Sequence, residues 1–190
     1  MLTIFILMAA GASAAVTVSG TDTPGDWTVD VNAGGAVAAT AVTSNLPAGF
    51  ISDNAAGSGP TPGTYVYETL VDTTGSTNVA ITISVWMDDN LTALTLGGVG
   101  PTSGPALPVS YNYLSAPSVF VLGAAENTAG QVLSLTVANT QASLTGLRVV
   151  IDNISDDPYT PPNPVPEPAT YGLVGLGLAA LALIRRRRSA

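Results

Sequence analysis

Residues 79–87 read Val79-Ala80-Ile81-Thr82-Ile83-Ser84-Val85-Trp86-Met87, and this stretch decides the fold. Side chains along a strand point alternately to its two faces, so Val79, Ile81, Ile83, Val85 and Met87 share one face. Ala80, Thr82, Ser84 and Trp86 share the other. A helix would scatter both sets around its axis, and its β-branched residues would lose rotamer freedom. The pattern predicts a half-buried strand.

The same period recurs on both sides of it. Tyr65-Val66-Tyr67-Glu68-Thr69-Leu70-Val71 alternates, and Leu133, Leu135 and Val137 oppose Ser134, Thr136 and Ala138. Trp27–Val31, Ala36–Thr43, Leu91–Leu96, Ser118–Leu122 and Leu147–Ile151 also have strand character. Gly57–Gly63, Gly97–Pro101 and Gly123–Gly130 separate them with turn chemistry. No helical stripe of useful length and no convincing internal repeat interrupts the series. About eight strands at this spacing predict an all-β ectodomain over residues 15–155, an antiparallel β-sandwich of jelly-roll or Ig-like type.

Composition narrows the chemistry. The chain has 190 residues, enough for one ordinary domain plus processing segments. It has no Cys, which excludes disulfides, a thiol nucleophile, a lipidated cysteine and a thiolate metal site. It has no His, the usual general base near neutral pH, and all five basic residues are Arg, so a Schiff-base lysine is excluded too. Four of the five are Arg185, Arg186, Arg187 and Arg188. Setting these and Glu167 aside leaves Arg148 against 12 carboxylates between Asp22 and Asp157, a net charge of −11. Such a field repels phosphate backbones, so no nucleic-acid partner is expected. No cofactor and no catalysis are expected either.

Both ends read as processing signals. Leu2–Ala10 is a short apolar run, followed by Gly11 and Ala12-Ser13-Ala14. An apolar core followed by small residues at the cleavage subsites predicts a secretory signal over residues 1–14. Signal peptidase would cut between Ala14 and Ala15 after delivery to the secretion machinery. No Lys or Arg precedes the run, so the reading expects a start codon further upstream. A buried N-terminal strand is the alternative.

At the other end, residues 156–164 hold four prolines, which fix φ and remove backbone donors, so a spacer is predicted there. Val165-Pro166-Glu167-Pro168-Ala169-Thr170 follows, then an uncharged Gly/Leu/Ala run from Tyr171 to Ile184, then the Arg cluster. As a helix, residues 169–184 would span about 24 Å. A hydrocarbon core is about 30 Å thick, and snorkelling Arg side chains recover part of the deficit. The positive-inside rule places Arg185 to Arg188 in the cytoplasm as a stop-transfer cluster and the body outside. Short length and weak hydrophobicity predict a transient membrane anchor.

This tail resembles a PEP-CTERM sorting signal, over about Val165 to Arg188 and in all three of its parts. The resemblance implies that Pro166, Glu167 and Pro168 form the recognition triplet and that the partner is an exosortase, a multi-pass transpeptidase-like membrane enzyme. It implies a Gram-negative bacterium that makes extracellular polysaccharide. It also implies an inner-membrane intermediate that ends at the cell surface or in the extracellular matrix. A lipobox cysteine and an LPxTG motif are both lacking, and a GPI tail would not end in four Arg.

Within the body, several groups could carry a site. Asp88 and Asp89, with Asp152 and Asp156, supply the oxygen ligands that Ca²⁺ takes, but their spacing follows no EF-hand, and solvated acidic loops are the plainer expectation. Trp27, Trp86 and the pairs Tyr65/Tyr67 and Tyr111/Tyr113 could form a stacking platform for polysaccharide or simply brace the sheets. Glu68 and Glu126 are the body's only glutamates, and a glycosidase would need such a pair. Asn90-Leu91-Thr92 and Asn153-Ile154-Ser155 match the N-glycosylation pattern, which has little meaning in the bacterial setting that the resemblance implies. The reading is thus an exported, exosortase-processed surface or matrix protein. A carbohydrate-binding module is the runner-up and a small extracellular hydrolase comes third.

Overall fold

A computed structural model describes residues 15–43, 46–57, 62–110, 112–140 and 144–161. The chain divides into two units, Met1–Tyr159 and Thr160–Ala190, and only residues 160 and 161 of the second are described. The strands are β1 (Thr17–Val18), β2 (Thr28–Val31), β3 (Ala36–Ala38), β4 (Thr40–Ala41), β5 (Ile51–Ser52) and β6 (Gly63–Asp72). Then come β7 (Ser76–Asp88), β8 (Asn90–Leu96), β9 (Ser118–Gly123), β10 (Gln131–Asn139) and β11 (Gly146–Pro158). One 3₁₀ turn, Pro24–Asp26, precedes β2. No α-helix occurs among the described residues.

All pairings are antiparallel and form two sheets. The first runs β3-β2-β6-β10-β8, with β1 also on β6, and the second runs β4-β5-β11-β7-β9. Val79, Ile81, Ile83, Val85 and Met87 are buried on the inner face of β7, as their period requires. Tyr65, Tyr67, Leu133, Leu135 and Val137 of the first sheet join them in a single hydrophobic core. Burying the apolar face of each sheet against the other removes both from water and is the main stabilising term.

Three features depart from the sequence reading. Ala36–Thr43 is not one strand: β3 lies in the first sheet and β4 in the second. Buried Ala39 marks the crossing, its N–H donating to Trp27 O at 2.9 Å. An unbroken small-residue run carries no mark of a change of sheet. β1 and β5 have two residues each, too short to show a period. And β11 does not stop at Ser155, since Asp157 pairs with Thr77 and Pro158 with Ser76. Pro158 is tolerated there because that end of the strand is an edge, where a missing N–H breaks no ladder.

Register also fixes two poles. Thr17 pairs with Asp72, and the N–H of Tyr159 donates to Gly75 O at 2.8 Å, so the domain begins and ends beside the β6–β7 turn. The opposite pole carries the β7–β8 turn at Asp89, the end of β10 at Asn139 and the start of β11 at Gly146.

Candidate functional site

The far pole gathers polar side chains at the mouth of the core. Ser52, Asn139 and Thr145 are buried there beside Tyr65 and Tyr67. Asn139 Nδ2 donates to Thr145 Oγ1, and Thr145 Oγ1 donates to Asp89 Oδ2 at 3.3 Å. Ser52 Oγ and Asn54 Nδ2 both donate to Asp53 Oδ1, at 3.0 and 2.8 Å. The Tyr67 hydroxyl is fully buried without a hydrogen-bond partner among the described residues. Burial pushes that phenol well above its ordinary range. Asp89 takes a positive φ of 81° in the tight β7–β8 turn, a conformation that Asp tolerates better than most residues. Burial, then the neighbouring Asp89 charge, pushes the Asp88 carboxyl up to about 6. Burial raises Asp89 as well, against a lowering hydrogen bond from Thr145.

The four carboxylates read as calcium ligands are not brought together. Asp88 sits opposite Gly146 at the far pole, whereas Asp156 lies next to the Pro158–Ser76 pair at the other. At about 3.3 Å per strand residue the two are roughly 30 Å apart. Asp152 accepts from Ser84 Oγ at 2.7 Å and Asp156 from Ser76 Oγ at 2.6 Å. Among the described residues no three His, Cys, Asp or Glu side chains are grouped to hold a metal.

Three of the six rings read as an aromatic platform are buried. Tyr65 and Tyr67 do share one face, as their spacing requires, but it is the inner one, and both are fully buried with Trp27. Tyr111 lies outside the described residues, and Tyr113 is half-buried in a turn. Glu68 points outward from the middle of β6, opposite Thr28 and Ser134. Glu126 lies in the β9–β10 connection and accepts from the Asn78 N–H at 3.4 Å. The two glutamates share no partner.

Trp86 alone among the tryptophans reaches the surface, on the outer face of the second sheet. Its indole N–H donates to Ser115 O at 3.1 Å, and the Arg148 guanidinium lies 4.6 Å from its ring centroid. These two are register partners on β7 and β11. No hydrogen bond or ion pair to a described residue holds that guanidinium. Beside it opens a cleft of about 460 Å³, walled by Val18, Gly20, Thr21, Asp22, Gly49 and β11 from Arg148 to Ile151. Thr21 builds the cleft floor: its N–H donates to Val149 O at 3.0 Å, and its hydroxyl donates to Gly49 O at 2.6 Å and accepts from the Val149 N–H. Gly49 has φ +89°, and a Cβ there would stand 3.1 Å from Arg148 Nε, so the bare glycine makes room for the arginine.

Sequence reading missed two residues. Asn112, in the loop before β9, accepts from the Met87 N–H at 2.9 Å and donates to Val85 O at 3.1 Å. Thr21 extends the edge of β11. Neither leaves a periodic signal.

Of the processing residues, Ala15 is described, exposed and just ahead of β1. Ala12, Ala14, Pro166, Glu167, Pro168 and Arg185 to Arg188 lie outside the described residues. No helix among the described residues is long and apolar enough to cross a membrane.

An all-β domain of two antiparallel sheets with a separate C-terminal sorting segment is the class that fold and tail define. Residues 164–188 match the family model of the PEP-CTERM protein-sorting motif, the segment that carries Pro166, Glu167, Pro168 and the Arg cluster. The motif implies an exosortase as processing partner and export to the cell surface through membrane-associated sorting. No curated protein and no solved structure matches the chain.

Proposed function

We propose that this is an exported, exosortase-processed protein whose β-sandwich is displayed at the cell surface or in the extracellular matrix and performs no catalysis. The observation that carries the reading is the sorting motif at residues 164–188. In this reading signal peptidase releases the chain at Ala15. The segment of about 169–184 then anchors it transiently in the inner membrane, and Arg185 to Arg188 hold the orientation. Both ends of the domain leave it at one pole, so a C-terminal tether would attach there. Burial of Tyr65, Tyr67 and Trp27 takes those three rings out of the stacking platform that the alternative reading, a carbohydrate-binding module, would use.

Glu167 is the residue to change. Between two prolines it is read by a partner rather than needed for folding. Glu167→Ala should accumulate as membrane-retained, full-length protein in a host with an exosortase, and mass spectrometry of the C-terminus reads this directly. If wild type is trimmed equally in a host without an exosortase, or the variant is trimmed normally, the reading fails.

A further inference from the structure

We propose that the cleft beside Arg148 is a receptor for a uronate residue, a single carboxylate carried on a sugar ring, within an otherwise sparsely charged glycan. This goes beyond the display reading and does not depend on it.

The first ground is charge left unspent. Between Asp22 and Asp157 the chain has 12 carboxylates and one cation, yet no described carboxylate pairs with Arg148. A guanidinium carries five N–H donors in a rigid fork that matches a carboxylate bidentately. Here the fork stands at the wall of a cleft.

The second ground is preorganisation. The Trp86 ring is fixed by its hydrogen bond to Ser115 O, and Arg148 stacks on that ring at 4.6 Å. Gly49 gives the side chain its berth. Stacking limits the rotamers that a free surface arginine would explore, so less entropy is lost when an anion docks.

The third ground is what shares the cleft. About 460 Å³ suits one sugar ring with part of a neighbour and is near the lower end for small-ligand sites. Asp22 on the same wall is an acceptor without a donor role, which a ring hydroxyl satisfies and a second anionic group would not. Val150, half-buried on the same wall and not part of the core, offers apolar surface to the C–H face of a ring. The charge of −11 over the body disfavours a dense polyanion at long range, which leaves an isolated uronate as the fitting ligand.

The test uses full-length protein in detergent and three probes. These are a disaccharide of glucuronate and a neutral sugar, the same disaccharide with its carboxyl reduced to the alcohol, and a triglycine peptide with a free carboxylate. Tryptophan fluorescence reports binding, because Trp86 sits at Arg148 while Trp27 is fully buried. The uronate probe should bind saturably, and the reduced probe about tenfold or more weaker. Arg148→Gln should lose the same factor for the uronate probe, whereas Arg148→Lys, which keeps charge but not the fork, should fall between. Equal binding of the native and reduced probes to wild type overturns the proposal without any variant. So does absence of saturable binding, and triglycine binding as tightly as the uronate overturns the sugar part. C-terminal trimming of Arg148→Gln should stay normal, so failure here is distinguishable from failure of the sorting reading.

Discussion

At the pole where the chain enters and leaves the domain, Asp156 and Asp157 accept hydrogen bonds from Ser76 and Asn78 at 2.6 and 3.0 Å. Asp72 accepts from the Thr74 hydroxyl and N–H, and its carboxyl is held below the ordinary value. At the far pole Asp88 and Asp89 are partly withdrawn from water and lie next to each other, and both are pushed up. Asp72 is thus stabilised in its charged form at one pole, and Asp88 and Asp89 in their neutral form at the other. Donors decide the first case and desolvation the second. Acid therefore acts on the two poles in opposite senses, weakening the first and relieving the second. The lowered Asp72 contributes stability above the ordinary carboxylate value that is lost as pH falls. The raised Asp88 and Asp89 relieve a penalty as pH falls.

The entry pole also carries the better-satisfied buried network, and breaking it should have the largest effect. Gln131 donates to Thr73 Oγ1 and Ala125 O at 3.1 and 3.0 Å and accepts from the Ala125 N–H at 2.8 Å. Gln131→Leu strands several buried polar groups at once and should cost about 3 kcal/mol in urea denaturation. A cost below about 1 kcal/mol would show that this network is not tighter than the far one.

The next effect concerns where the domain ends. A chain stopped at Ser155 loses the Asp156–Ser76 and Asp157–Asn78 bonds and the Tyr159 N–H bond to Gly75 O. Relative to a chain stopped at Pro161 it should lose about 2 kcal/mol. Equal melting of the two would put the boundary back at Ser155.

Asp88→Asn sharpens the contrast in titration. Unfolded, the carboxyl ionises at its ordinary value of 3.8; folded, at about 6. Across that window the folded state holds the proton more tightly, so stability falls as pH rises through it and stays lower above it. Solvent screening at this half-exposed site limits the penalty to about 1 kcal/mol. The asparagine variant should gain that much at neutral pH and show a flatter profile between the two values. An unchanged profile would mean that Asp88 does not carry the slope.

How much of this could be read in advance follows from what period carries. Alternation at Val79–Met87 gave strand and face together, because the apolar parity is unmistakable there. At Tyr65-Val66-Tyr67-Glu68 it gave the shared face of the rings but not its direction; Glu68 on the opposite parity was the signal that the rings turn inward. Asp88 and Asp156 looked like one acidic set because linear spacing does not encode poles. Arg148 stood out only as a lone charge. Its stacking on Trp86 needed the β7–β11 register, which a strand's own sequence does not contain. The sorting triplet was legible throughout, since its order along the chain is the signal itself.

The smallest effect tests the far pole most directly. Tyr67 buries its hydroxyl completely; Ser52 lies close enough to ease the rise of the phenol, yet no partner among the described residues meets hydrogen-bond geometry. Ser52, the neighbouring hydroxyl, donates to Asp53 Oδ1 instead. A buried hydroxyl without a partner has lost its water and gained nothing, so removing it should not destabilise the fold. Tyr67→Phe keeps the ring that fills the core and should be neutral or stabilising by about 0.5 kcal/mol in urea denaturation. Tyr65→Phe is the control: its phenol is hydrogen-bonded with Asn139 and Thr145, so it should lose about 1 kcal/mol. If Tyr67→Phe costs as much as Tyr65→Phe, the Tyr67 hydroxyl is satisfied after all. The far pole would then be as well paired as the near one.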